Sequence, residues 1–452
     1  MKPVLLLLNP PSARPTMRDY FCSSTSKAGY VWQPMDLVCQ SGYLADAFDV
    51  RLIDAAAQRR SPEEILAAAR AAKPAAVYSL VGTAALAEDF AFLGRLASRT
   101  ESRVFVSGDV ARFHPFRVLE RYPFLAGIVL DFTGPALRDY LVEGKREPGA
   151  LAVRGDAERA LPVARAEFSY PVPRHDLFQS LPYRMTFLGR PFASVLTNYG
   201  CPFACAYCNS CAIGFAPRNL ENLFEELDAI RTAGIRHLFV KDFTFNAPVD
   251  RAKMILHEWL RRGYEFRWIG YLRGDRIDSE LADLLRRTRC AMAQIGVETT
   301  DPAVRGALRK GADLAGVERG LAELRKAGVD FGGHFIAGLP GADEAGFART
   351  VDWATRQGFS YASFNAFTAR PGSRLADASA DVDRLAMDPS RPGFGESNSA
   401  APVERWVRRA YRRFYLRPGI AGSALRCARA AGGFRAAAAM GSSLLHSMKG
   451  GE

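Results

Sequence analysis

The sequence predicts an α/β protein of two parallel-sheet domains in tandem, a doubly wound domain followed by a partial (β/α)6 barrel, with a helical tail. Three observations predict it. Short apolar runs alternate with amphipathic helical patterns twice over, within residues 1–143 and again within 189–375, as parallel strands with crossover helices do. The 452-residue chain is longer than one core usually fills. Its 48% hydrophobic and 24% charged residues are those of a folded chain, which excludes a disordered one.

In the first domain the strand candidates are Val4 to Leu8, Val50 to Ile53, Ala76 to Leu80, Arg103 to Val106 and Gly127 to Leu130. Such continuous apolar runs suit strands buried on both faces. Helical patterns lie between them near Pro34 to Ala45, Pro62 to Ala72, Ala85 to Ala97, Pro115 to Arg121 and Pro135 to Val142, several opening on a proline that fits a first helical turn. A ligand of such a sheet sits beyond the strand carboxyl ends, in the loops after Leu8, Asp54, Leu80 and Val106. Residues 144–188 lose the pattern, carry Pro148, Pro162, Pro171 and Pro173, and read as a surface linker.

The second block has strand candidates at Ala193 to Thr197, His237 to Lys241, Arg267 to Leu272, Ala293 to Val297, Phe331 to Ile336 and Ser363 to Phe367. Its helices fall near Leu220 to Thr232, Arg251 to Arg262, Ser279 to Arg287, Leu314 to Ala327 and Glu344 to Gln357. Six successive units fit an open barrel better than a flat sheet. The rhythm ends after Gly372, and residues 376–452 form a carboxyl-terminal extension.

Much of the net charge of +12 sits in the last part of that extension, where ten Arg and Lys residues from Arg405 to Lys449 face only Glu404 and Glu452. They alternate with Trp406, Tyr411, Phe414, Tyr415 and Leu416 at helical spacing. Such a helix either lies on an anionic membrane surface or packs its aromatic face on the barrel. No nucleic-acid reader module is recognisable, so no nucleic-acid partner is expected. Val4 to Leu8 is too short for a signal core and no apolar run of about 18 residues occurs, so the expectation is a cytoplasmic protein.

Four of the eight cysteines, Cys201, Cys205, Cys208 and Cys211, lie within eleven positions. A disulfide framework does not suit a chain of this size without a secretion signal, so the cluster asks for a metal. Cys201-Pro-Phe-Ala-Cys205-Ala-Tyr-Cys208 follows the first barrel strand, where barrel active sites are built. Three thiolates from one short loop can hold three corners of a 4Fe-4S cluster and leave one iron open. The residues alone also allow a zinc site completed by Cys211, as in a zinc-stabilised nucleic-acid-binding protein.

At these residues the chain resembles the radical S-adenosylmethionine (SAM) superfamily, in Cys201, Cys205 and Cys208 at this spacing and the aromatic Tyr207 before the last. The resemblance covers roughly Phe192 to Ser373. It implies a 4Fe-4S cluster on those three cysteines, SAM on the open iron, cleavage to a 5′-deoxyadenosyl radical, and a reductant such as flavodoxin or ferredoxin. Tyr207 would lie along the adenine. Asp242 in the turn after the second strand and Glu298 in Gly296-Val297-Glu298-Thr299 after the fourth would contact the cofactor, and Arg273 and Lys310 are partners for a carboxylate. No catalytic residue is assigned beyond the cluster.

The first domain resembles the flavodoxin-like, cobalamin-binding fold at Asn9-Pro10-Pro11, Val50 to Asp54 and Ser107-Gly108-Asp109. That family's cobalt-ligating histidine, in Asp-x-His-x-x-Gly, has no counterpart here. Together the resemblances imply methylation of an unactivated carbon with cobalamin. Radical rearrangement, cyclisation or oxidation without cobalamin is the alternative. The substrate expected is a small or lipid-like molecule.

Overall fold

In the computed structural model, which describes residues 2–26, 30–156, 165–185, 187–376, 400–417, 420 and 422, every expected strand is present. The amino-terminal strands are β1 (Val4–Asn9), β2 (Thr16–Asp19), β3 (Cys22–Thr25), β4 (Asp49–Asp54), β5 (Ala76–Leu80), β6 (Arg103–Ser107), β7 (Leu125–Val129) and β8 (Leu151–Val153). The main sheet runs β4-β1-β5-β6-β7-β8, parallel except for β8, which is antiparallel to β7. The order reverses at β1, which gives a doubly wound sheet its ligand crevice at that end.

Strand alternation sorts the core into two layers. Leu6 and Leu8 of β1 pack with Val77 and Val106 against Ile65, Leu66, Phe90 and Leu93 of two covering helices. The first of these, Pro62–Ala72, starts as its sequence dictates, with Ser61 and Glu64 in a reciprocal capping box and Pro62 in the first turn. Leu5 and Leu7 face the other way, into a core that includes Val38 and Phe105 and continues without a break to Phe239, Ile269 and Met292 of the second domain.

That domain comprises β9 (Phe192–Val195), β10 (Asn198–Gly200), β11 (Phe215–Pro217), β12 (His237–Val240), β13 (Arg267–Leu272), β14 (Cys290–Glu298), β15 (Phe331–Ala337) and β16 (Tyr361–Ala366). Six of them form one parallel sheet in the order β9-β12-β13-β14-β15-β16, while β10 and β11 form a separate hairpin. Consecutive parallel neighbours with right-handed crossovers put all the helices on one face, and the sheet curls. Leu238, Val240, Trp268 and Ile295 point to those helices. Phe239, Ile269 and Met292 point inward to the amino-terminal domain.

Two regions of the amino-terminal half differ from the sequence reading. The expected surface linker supplies β8 and the short helix His175–Gln179, and its Tyr170, Phe178 and Tyr183 are fully buried. Their large apolar area outweighs the prolines around them. The hairpin β2–β3 was not expected, because its sequences TMRD and CSST carry no apolar alternation. It is fixed by side chains from elsewhere. Arg18 pairs with Asp89 at 2.5 Å and donates to Asn9 Oδ1 at 3.0 Å, and Ser23 meets Thr83 and Asp109 at 2.9 and 3.1 Å.

The tail helix Ala400–Tyr415 packs on the barrel in its described part. Val403, Trp406, Ala410, Tyr411 and Phe414 are buried, Tyr411 meets Phe364 edge-on at 5.3 Å, and Tyr415 Oη donates to Ala362 O at 2.8 Å. It thereby covers the free edge of β16. Arg426, Arg429, Arg435 and Lys449 lie outside the described residues. Among the described residues no helix is long and apolar enough to cross a membrane.

Candidate active site

The cysteine loop is held at both ends by the β10–β11 hairpin, in which Asn198 pairs with Pro217 and Gly200 with Phe215. Gly200 has φ +69°, and a Cβ there would stand 1.7 Å from Gly214 O, so only glycine can precede Cys201. Asp242 anchors the start of the loop. It accepts from Thr197 N at 2.7 Å and Asn198 N at 3.0 Å, and also from Thr197 Oγ1 and Asn198 Nδ2. Its carboxylate is thus engaged by the chain on the cavity's inner wall, and burial pushes its pKa up to about 6. It caps no helix.

Cys201, Cys205 and Cys208 line one cavity of about 410 Å³ at the barrel mouth. Cys211 is not on its wall, and its thiol donates to Cys208 O at 3.6 Å. Burial pushes the Cys201 and Cys205 thiols up, with Lys310 opposing it at Cys205, so a bound metal is what would hold them as thiolates. Three thiols facing one cavity with the fourth turned away suit a 4Fe-4S cluster with one iron free. A four-thiolate zinc site needs its sulfurs around a single ion. Among the described residues no three His, Cys, Asp or Glu groups are so gathered, and Cys211 stands off the wall that the other three line.

Beside the cysteines, Glu298 ends β14 at a register shift against β15, with φ +68°. The twist turns its carboxylate into the cavity, where Lys310 Nζ lies 2.8 Å and Tyr207 Oη 3.0 Å from Oε1, and Lys310 donates to Tyr207 at 3.1 Å. Gly296 leaves room for this group, since a Cβ there would come within 2.8 Å of Glu298 Oε1. Arg273 pairs with Asp275 at 2.8 Å, donates to Lys310 O at 2.9 Å and stacks 4.0 Å over Phe203 in the cysteine loop. The structure therefore brings Tyr207, Glu298, Arg273 and Lys310 to one end of the cavity with the three cysteines.

The other walls escaped sequence reasoning. Asp19 of β2 accepts from Lys241 Nζ at 2.7 Å and from Trp32 Nε1 at 2.7 Å, tying the amino-terminal domain to the barrel interior. His334 pairs with Gln294 at 2.8 Å, and burial lowers its pKa to about 4, so the imidazole is neutral. Tyr271, Tyr361 and Trp32 supply aromatic surface, and Arg370 donates to Cys22 Sγ at 2.8 Å. One signal was available for Lys241, a charged residue continuing the buried run Leu238 to Val240.

Residues 195–354 match the Radical SAM superfamily. The chain is 25% identical over 417 residues to uncharacterized methyltransferase PH0819 of Pyrococcus horikoshii, covering 87% of this chain and 90% of that one. A 120-residue stretch is 30% identical to tryptophan 2-C-methyltransferase of Streptomyces laurentii, covering 24% of this chain and 20% of the other. The fold is that of the radical SAM methyltransferase TsrM from Kitasatospora setae, solved with cobalamin and a [4Fe-4S] cluster, with TM-score 0.64, 19% identity, and 83% and 77% of the two chains covered. The cobalamin-dependent radical enzyme OxsB matches with TM-score 0.61, 17% identity, and 78% and 52% covered. Residues 195–354 of this chain are thus a radical SAM domain, set behind a doubly wound domain and with three cysteines open to one cavity.

Proposed function

We propose that the chain is a radical SAM methyltransferase that methylates a carbon of a small molecule held in the 410 Å³ cavity, with cobalamin as methyl carrier. The observation that carries it is the cavity itself, whose cysteines face β2 and β3 of a cobalamin-type domain. Cys201, Cys205 and Cys208 would hold the cluster. Tyr207, Glu298 and Arg273 would hold SAM, and Asp242 would serve by fixing the loop between them. When bound, these groups supply one-electron cleavage of the sulfonium and, from the corrin, a methyl group. The chain's own part is to exclude water with the aromatic walls, keep His334 neutral, and orient the substrate beside the cysteine loop. A flavodoxin or ferredoxin is the expected reductant.

One buried group bears on the corrin. Arg112, at the carboxyl end of the amino-terminal sheet, is fully buried over the Phe21 ring, and Nε and both terminal nitrogens lack a partner among the described residues. Three such donors suit the amide or phosphate oxygens of a corrin, with Arg112 as the residue that would hold it. The hairpin β2–β3 lies over the same strand ends and has to yield, and that cover favours a second reading, radical chemistry without methyl transfer. Anaerobically reconstituted protein, expressed with cobalamin supplied, decides between them. Stoichiometric corrin and 5′-deoxyadenosine formation support methylation. 5′-Deoxyadenosine without corrin supports the second reading, and absence of 5′-deoxyadenosine contradicts both.

A further inference from the structure

The charged side chains that line the cavity are matched within the protein. Asp19 pairs with Lys241, Glu298 with Lys310 and Arg273 with Asp275, while Asp242 accepts from Thr197 and Asn198. Arg370 donates to Cys22 Sγ at 2.8 Å, and Cys22, Asp109 and Cys208 all favour its charge. A charged substrate would leave water with no opposite charge free to receive it, which is costly.

One neutral group on the wall keeps an acceptor in hand. His334 of β15 lines the cavity beside Gln294 of β14, and its Nε2 lies 2.8 Å from Gln294 Oε1. An amide oxygen only accepts, so Nε2 carries the proton and Nδ1 is left with a lone pair. Among the described residues no donor meets that lone pair. Burial lowers the pKa of the ring to about 4, with Glu298 and Lys310 opposing each other, so Nδ1 stays an acceptor at neutral pH. Ser363 and Asn365, 3.2 Å apart on β16, continue this uncharged polar strip along the same cavity. We propose that the cavity takes an uncharged substrate that donates an N–H or O–H to Nδ1 of His334, and that this bond selects the substrate. The inference rests on reading the cavity as the substrate site, as in the function proposed above. An analogue that lacks the donor leaves the imidazole nitrogen unpaired, and an anion is repelled by its lone pair.

Full-length reconstituted protein is titrated with 2-naphthol, 2-methoxynaphthalene and 2-naphthoate, a neutral donor, its capped counterpart and an anion of similar shape. The naphthol should bind wild type about tenfold more tightly than either of the others. His334→Phe should bring naphthol and ether to equal affinity. In Gln294→Glu the new carboxylate holds His334 protonated and Nδ1 becomes a donor, so the naphthol should again lose its lead over the ether, although the imidazole is still in place. Equal affinities in wild type, tightest binding of the naphthoate, no measurable binding of the naphthol, or a preference that survives in either variant would overturn the proposal. The change that SAM causes in the electron paramagnetic resonance spectrum of the reduced cluster should persist in His334→Phe. Its loss would assign His334 to SAM and also overturn the proposal. A wild-type protein that holds no iron would instead defeat the function proposed above, and the naphthol preference remains measurable on that folded chain.

Discussion

At the residue scale, the division among the four clustered cysteines is the sharpest consequence of the geometry. Cys201→Ala, Cys205→Ala and Cys208→Ala should each lose most of the iron bound on reconstitution, whereas Cys211→Ala, off the cavity wall, should keep it, as iron and sulfide analysis would show. Gly200→Ala should also lower iron content, because the added methyl collides with Gly214 O and the loop must shift. Asp36 gives a separate test. It accepts from Tyr20 N and Ser107 Oγ, and burial, followed by the nearby Asp19 charge, raises its pKa to about 7 from an ordinary value of 3.8. The folded state therefore holds this proton more tightly than the unfolded chain, and stability falls as pH rises from about 4 to about 7. Asp36→Asn should come closest to wild type in melting temperature near pH 4 and exceed it by a growing margin up to pH 8. A lower melting temperature at pH 8 would mean that the ionised carboxylate is favourably held.

At the scale of elements, legibility followed the source of the stabilising contacts. The sheet strands were readable because burial on both faces writes an unbroken apolar run, as in VLLLLN of β1 and HLFV of β12. The cysteine loop and Glu298 were readable from spacing and position at strand ends. Hairpin β2–β3 was not, since its contacts are Arg18 to Asp89 and Ser23 to Asp109, each more than 70 residues away in sequence. The same holds for Asp19 with Lys241 and for Arg370 with Cys22, whose meeting depends on how two domains face each other. In the tail, helical spacing allowed two uses of the aromatic face, and Phe364 decides between them in the described part by packing against Tyr411 and Phe414. Trp406→Ala should then cost about 3 kcal/mol of stability in denaturant unfolding, with little effect if the helix merely rests on the surface.

At the scale of the whole molecule, one apolar core runs from Leu5 and Phe105 through Trp32 to Phe239 and Met292, so the two sheets should unfold together. Calorimetry of the full chain should give one cooperative transition, and two separated transitions would show the shared core to be weaker than drawn. This union also explains the site, because the amino-terminal domain closes the barrel mouth and leaves a cavity in which cysteines from one domain face a hairpin from the other. The account stands or falls on whether the three cavity thiols hold a cluster with an iron free for SAM. Electron paramagnetic resonance of the anaerobically reconstituted, dithionite-reduced protein tests this directly. A reduced 4Fe-4S signal that shifts on adding SAM is the result the account requires; bound zinc without iron, or a cluster signal indifferent to SAM, would contradict it.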